Sequence, residues 1–150
     1  MLQNTPSRSV SRLLIADDDE LVLELLTTRL ELAGYVTYAA RDGLQALRCA
    51  HEVRPEAMVL DLNMPRADGF EVLQTMARSP RMAQIPVLVL TVRNRPEDVR
   101  AAIKLGAKDY LTKPFEDRQL LRRVARLMRR PPPKSTGEPG SWVIVDDFDE

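Results

Sequence analysis

The chain has 150 residues, 44% of them apolar, which suits one globular domain with a core of its own and excludes a disordered chain. Lys+Arg and Asp+Glu both number 22, so net charge points to neither nucleic acid nor a membrane surface. The lone Cys49 excludes an internal disulfide and fits a reducing compartment, and the lone His51 excludes a histidine-based metal site.

The opening stretch, Met1 to Arg12, is mostly polar and lacks the apolar centre of a signal peptide. No apolar run approaches the roughly 18–20 residues of a membrane span. The expectation is a cytoplasmic protein with no membrane span. Residues 1–11 read as a flexible N-terminus, 12–130 as the folded domain, and 131–150 as a Pro-rich turn with a Trp-containing acidic tail.

Short apolar runs then alternate with longer amphipathic stretches. Leu13 to Ala16 is a first strand. Leu21, Val22, Leu25, Leu26 and Leu30 recur three to four apart, so Leu21 to Leu32 is a helix, closed by Gly34. Tyr35 to Ala39 is a second strand, and Asp42 to Val53 a second helix that Pro55 stops. Ala57-Met58-Val59-Leu60 is apolar at every position, as a strand buried on both faces must be. Phe70 to Arg78 is the third helix and Pro86 to Leu90 the fourth strand. Pro96 opens the fourth helix, which runs to Leu105 before Gly106. Asp109 to Leu111 is a short fifth strand, and Glu116 to Arg129 a fifth helix that ends before three prolines. Five βα units in about 120 residues imply an α/β fold, a parallel sheet with helices on both faces.

Chemistry-bearing residues stand at the strand ends. Asp17-Asp18-Asp19 follows the first strand, Asp61 the third, Thr91 the fourth and Lys113 the fifth. If strands 1 and 3 are neighbours, Asp17, Asp18 and Asp61 converge at the switch point where such sheets bind ligands. Clustered carboxylates repel one another and invite a hard cation, and Mg²⁺ suits such a donor set. A carboxylate oxygen of Asp61 is then placed to accept a phosphoryl group as an acyl phosphate. The Lys113 ammonium and the Thr91 hydroxyl can meet the transferring oxygens. The plainer reading of an Asp run before a helix is N-capping, which fits Asp19; Tyr110 alone would read as core, and Cys49 and His51 as ordinary helix residues.

Four stretches in order resemble the response-regulator receiver family: 13–19, 59–65 with Asp68-Gly69, 89–91, and 106–115. The resemblance covers about residues 11–130. It implies the flavodoxin-like doubly wound (βα)5 fold, sheet order 2-1-3-4-5, with a short C-terminal extension. It also implies a phosphorylation-responsive signalling module with no classical enzyme activity beyond self-phosphorylation and self-dephosphorylation. By resemblance, Asp17 and Asp18 are the acid pair of the metal site, Asp18 the direct ligand and Asp17 acting through water. Asp61 is the phosphoacceptor and a ligand, Asn63 gives its main-chain carbonyl to the metal, Tyr110 is a switch residue reporting on Thr91, and Lys113-Pro114 is cis. The implied donor is a histidine kinase or phosphotransfer protein. Val92 departs from the family pattern, which has a small residue after the Thr, and its bulk is expected to narrow the approach to Asp61.

Residues 118–134 hold seven basic side chains and no acidic ones, while 135–150 hold five acidic and no basic ones. The tail is too short for a DNA-binding effector domain, so the expectation is output by protein contact, through the helix 4–strand 5–helix 5 face or the tail, with no DNA partner. Arg122, Arg123, Arg126, Arg129 and Arg130, with Trp142, Asp146 and Asp147, offer phosphate pairing, a stacking surface and a carboxylate for guanine. This segment resembles the CheY-like cyclic di-GMP effectors, which implies cyclic di-GMP as a ligand, a target at the flagellar motor, and control of motility or surface attachment. A plain phospho-receiver adaptor or phosphorelay protein with no nucleotide input is the alternative. Arg95-x-x-Asp98 also matches a short cyclic di-GMP motif but reads as the start of helix 4.

Overall fold

The computed structural model describes residues 11–128. The N-terminal segment up to residue 10 and the expected turn and tail at 131–150 lie outside them. Five strands, β1 (Arg12–Ala16), β2 (Val36–Ala40), β3 (Ala57–Leu60), β4 (Val87–Thr91) and β5 (Asp109–Thr112), alternate with α1 (Glu20–Leu32), α2 (Gly43–Val53), α3 (Gly69–Ala77), α4 (Pro96–Lys104) and α5 (Asp117–Leu127). All strand pairs are parallel, in the expected order β2-β1-β3-β4-β5.

That order decides which face each helix covers. The chain moves one way from β1 to β2, then reverses and crosses β1 to reach β3, and continues outward to β4 and β5. Right-handed crossovers therefore put α1 on one face and α2, α3 and α4 on the other. Strand side chains alternate accordingly. Leu14, Ala16, Met58, Leu60, Val87 and Val89 pack with Ala46, Val72, Met76 and Ala102 of α2–α4. Leu13, Ile15, Val59, Leu88 and Leu90 pack with Leu26 and Leu30 of α1 and Leu120 and Val124 of α5.

Caps set where the helices start and stop. Asp19 accepts from the N–H groups of Leu21 and Val22, Asp42 from Gln45, and Asp68 forms a reciprocal capping box with Glu71. Gly34 follows α1 at φ 104°, a conformation that favours glycine. Arg54, at φ 55° directly before Pro55, ends α2, and the Arg12 guanidinium donates to the carbonyls of Val53 and Arg54 at that helix end.

Two strands start one residue later than the apolar runs suggest. The Tyr35 N–H bonds the Leu30 carbonyl in the turn closing α1, so ladder pairing begins at Val36, opposite Arg12. β4 begins at Val87 and includes Thr91, which pairs with Thr112 and is fully buried.

The loop after β3 is braced by contact with α2. A Cβ on Gly43 would lie 2.0 Å from the carbonyl oxygen of Ala67, and the Gly43 N–H donates to the Pro65 carbonyl at 3.4 Å. Neither backbone yields easily, so Gly43→Ala is expected to destabilise the domain by about 1–3 kcal/mol, the usual range for overpacking. Urea unfolding of the two proteins measures it, and an unchanged midpoint would mean that the loops separate at little cost.

Candidate functional site: an acidic pocket at the sheet's C-terminal edge

The ladder itself brings the two buried aspartates together. The Asp17 N–H bonds the Ala40 carbonyl and the Asp61 N–H bonds the Ala16 carbonyl, both at 3.0 Å, extending the β2–β1–β3 pairing one residue past the strands. Asp17 and Asp61 thus stand side by side, 2% and 6% exposed. Asp18 is exposed beside them. Carboxylate oxygens of Asp17, Asp18 and Asp61 all lie within 4.8 Å of one another.

Lys113 reaches this cluster from the end of β5. Its N–H bonds the Thr91 carbonyl at 2.8 Å, and its Nζ donates to Asp17 Oδ2 at 2.7 Å and to Asp61 Oδ2 at 3.4 Å. The Lys113-Pro114 bond is cis, as the resemblance implies. The other oxygens are held by the main chain: Asp17 Oδ1 accepts from the Asp19 N–H and Asp61 Oδ1 from the Asn63 N–H. Burial pushes the Asp17 carboxyl up from its ordinary value, with the Lys113 hydrogen bond opposing. Burial alone would lower the Lys113 ammonium, but the hydrogen bond to Asp17 and the charges of Asp61 and Asp17 outweigh it, so it is raised. Three carboxylates against one ammonium leave negative charge in excess. Hard oxygen donors at this separation fit a small divalent cation such as Mg²⁺.

Tyr110 is half-buried on β5 and its hydroxyl donates to the Arg93 carbonyl at 3.0 Å. Burial, then the charge of Asp98, raise its phenol above the ordinary value, while Arg93 opposes. Val92 is 60% exposed.

Arg93 escaped the reading from sequence. Its N–H donates to Thr91 Oγ1 at 3.4 Å and its Nε to Asn63 Oδ1 at 2.9 Å. Its Nη1 lies 3.3 Å from Asp98 Oδ1, and the guanidinium sits 5.3 Å from the centre of the Phe70 ring. Asp98 is thus a partner of Arg93, and Arg95 is the N-cap residue of α4. The available signal was an arginine five residues before an acidic side chain in a helix's first turn.

The expected nucleotide residues are only partly within the described region. Arg129, Arg130, Trp142, Asp146 and Asp147 lie outside it. On α5, Arg126 is exposed and Arg122 half-buried. Arg123 bonds Asp109 Oδ1 at 2.7 Å and the Tyr110 carbonyl at 3.1 Å, so it braces β5.

The family model described as the response regulator receiver domain matches residues 13–125, and the chain belongs to that family. It is similar to the "DNA-binding dual master transcriptional regulator RpaA" of Synechocystis sp., at 43% identity over 119 residues, covering 79% of this chain and 49% of that protein. A putative response regulator from Chloroflexus aurantiacus superposes with a TM-score of 0.77 at 34% identity, covering 81% of this chain and all of that one. The receiver domain of the sensor histidine kinase PA1611 from Pseudomonas aeruginosa, solved with a magnesium ion coordinated in its active-site cleft, gives 0.75 at 26% identity, covering 81% of this chain and 99% of that one. The chain spans about half the length of the curated relatives it matches. It is the receiver domain of a two-component response regulator, a class of signalling module.

The relatives overturn one expectation. DNA was excluded because the tail is too short for an effector domain, yet RpaA is a DNA-binding regulator. A receiver is a self-contained fold, so its residues carry no mark of the output joined to it. Among the described residues no helix is long and apolar enough to cross a membrane.

The charge balance of the pocket has a measurable sign. Lys113→Ala leaves Asp17 and Asp61 without their ammonium and is expected to cost about 2–3 kcal/mol in metal-free buffer. Asp61→Asn relieves repulsion and is expected to raise stability by about 1 kcal/mol. Urea unfolding in the presence of a chelator checks both, and a destabilised Asp61→Asn would show that repulsion is not the dominant interaction there.

Proposed function

We propose that Asp61 is the phosphoacceptor of a Mg²⁺-dependent signalling switch. The observation that carries this is the meeting of Asp17, Asp18 and Asp61 within 4.8 Å, with the Lys113 ammonium bonded to both buried members. An Asp61 carboxylate oxygen attacks the phosphorus of a phosphohistidine on a histidine kinase or phosphotransfer protein. The P–N bond breaks, its electron pair leaves with the imidazole, and an acyl phosphate forms. Lys113 and the buried Thr91 hydroxyl offer donors to the phosphoryl oxygens. Mg²⁺ bound by Asp17, Asp18, Asp61 and the Asn63 carbonyl would neutralise the charge gathered on those oxygens. The likeness to a receiver domain solved with a magnesium ion in its active-site cleft supports a magnesium ion in this pocket.

The free thiol of Cys49 fits a reducing compartment, which supports placing the module in the cytoplasm. Two outputs fit: contact with a protein through the α4–β5–α5 face and, by similarity to RpaA, control of transcription. A cyclic di-GMP input with an output in motility rests on the arginine spacing of 118–130, where Arg126 is exposed. Titration of the full chain with the nucleotide, read by Trp142 fluorescence, tests it: a saturable change supports the input, and none at micromolar ligand removes it.

A small phosphodonor with Mg²⁺ should modify the wild type, and Asp61→Asn should abolish the reaction. Phosphorylation that persists in the variant, or that needs no divalent cation, would sink the proposal. Val92→Ala should accelerate modification, and an equal or slower rate would show that the valine does not limit approach.

The raised Asp17 carboxyl adds a pH dependence. Proton and cation compete for the same oxygens, so Mg²⁺ affinity should fall on acidification sooner than for an ordinary aspartate, whose value is about 3.9. The Mg²⁺-induced rise in Tm should therefore begin to shrink on acidification at a higher pH than an ordinary aspartate would give. A rise that falls off only where an ordinary aspartate protonates would place Asp17 outside the metal site.

A further inference from the structure

The β4–α4 loop presents a cation that the phosphoryl-transfer scheme does not use. Asn63 touches both sides: its N–H donates to Asp61 Oδ1, and its Oδ1 accepts from Arg93 Nε. The guanidinium therefore sits one residue outward from the acceptor carboxylate. We propose that Arg93 is a phosphate-sensing arm, held by Asn63, Phe70 and Asp98 while Asp61 is a carboxylate, whose guanidinium moves onto the phosphoryl oxygens once Asp61 is modified and so releases Asp98 at the start of α4. This rests on the phosphoacceptor reading and adds to it a residue and a direction of motion.

The strengths of the competing partners favour the exchange. Arg93 now bonds a neutral amide oxygen at 2.9 Å, a carboxylate at 3.3 Å and a ring face at 5.3 Å. A phosphoryl group presents three acceptor oxygens and a charge of about −1.5 to −2. A planar guanidinium meets such oxygens in a bidentate fork that an amide cannot match. The site also needs further positive charge, because Lys113 is already engaged with Asp17 and Asp61. Two other arginines on neighbouring loops are placed differently: Arg41 pairs with Glu20 and Arg66 with Asp42. Asp98 tolerates the loss of its partner, since it lies in the first turn of α4, where the helix dipole favours an anion.

The backbone of Arg93 carries the consequence outward. Its N–H donates to Thr91 and its carbonyl accepts from the Tyr110 hydroxyl. Displacing this residue therefore changes contacts on β4, β5 and α4 together.

The test uses the full chain, labelled with ¹⁵N, and beryllofluoride with Mg²⁺ as the phosphoryl mimic. The Arg93 Nε–H resonance, assigned by its loss in Arg93→Lys, should shift on adding the mimic, with no such shift in Asp61→Asn. Beryllofluoride affinity should fall about tenfold in Arg93→Ala, the loss of a charge-assisted contact, and be partly restored in Arg93→Lys. Affinity for Mg²⁺ alone should change by less than about twofold, since Arg93 touches no carboxylate of the cluster. Asp98→Ala should bind the mimic more tightly, because it removes a competitor. An unmoved Nε–H resonance with unchanged affinity in Arg93→Ala would overturn the proposal while leaving the phosphoacceptor intact. Equal losses for Mg²⁺ and for the mimic would overturn it too, by reducing Arg93 to a support of Asn63. A wild type that binds no beryllofluoride would overturn the phosphoacceptor reading and this proposal with it.

Discussion

Like-charge repulsion at the end of a parallel sheet is the constraint on which the rest depends. Three carboxylates within 4.8 Å do not gather unaided. The hydrogen-bond ladder forces Asp17 and Asp61 together, because each is the residue just past its strand and each continues the parallel register. Lys113 comes from the far edge of the sheet and offsets part of the cost by bonding both. What remains is an excess of negative charge in a place too dry to screen it well. A divalent cation would relieve that excess, and a phosphoryl group on Asp61, as proposed, would renew it. The pocket can therefore respond to ions without large motion of the scaffold.

The scaffold must be stiff for this to work. β1, β3 and β4 are buried along nearly their whole length, and their alternating side chains feed two separate cores. A shift of register by one residue would exchange the two sets of side chains and separate Asp17 from Asp61. The loops are less constrained, but the one after β3 is held from two sides. Gly43 lies against Ala67, and a Cβ on Gly69 would come within 2.6 Å of the Asp61 carbonyl oxygen. Close backbone approach, which glycine permits, keeps Asn63 near the Asp61 carboxylate.

Much of this was legible in the chain because the fold places chemistry at strand ends. Apolar runs mark the strands, and the polar residue after each run marks the site, so Asp17, Asp61 and Lys113 could be read together. Where turns compete with strands the reading slipped: Tyr35 is apolar and β-prone, yet its N–H closes α1. Thr91 reads as the residue after a strand, yet it pairs with Thr112 inside one. Arg93 was invisible for a different reason. Only Asp98 is near it in sequence; Asn63 and Phe70 come from a separate segment, and no local spacing announces a contact thirty residues away. The same limit applied to output, since a domain's own packing says nothing of what it is joined to.

The arginines of α5 show how helix geometry divides residues that composition groups together. Arg122 and Arg126 are four apart and share a face, whereas Arg123 is turned by about 100° from Arg122. That turn brings Arg123 onto Asp109 and the Tyr110 carbonyl. Tyr110 is consequently held at both ends, its carbonyl by α5 and its hydroxyl by the Arg93 carbonyl at the pocket's rim. A rigid tyrosine between two fixed points would transmit nothing, because coupling needs an element with two arrangements that both sites can bias. The α5 end is anchored by an ion pair at 2.7 Å, partly shielded from water. The Arg93 end rests on a single neutral hydrogen bond to a loop carbonyl. Under the proposed modification of Asp61, the weaker end is the one next to the charge that would change, so the Tyr110 hydroxyl contact would yield first while β5 and α5 stay joined.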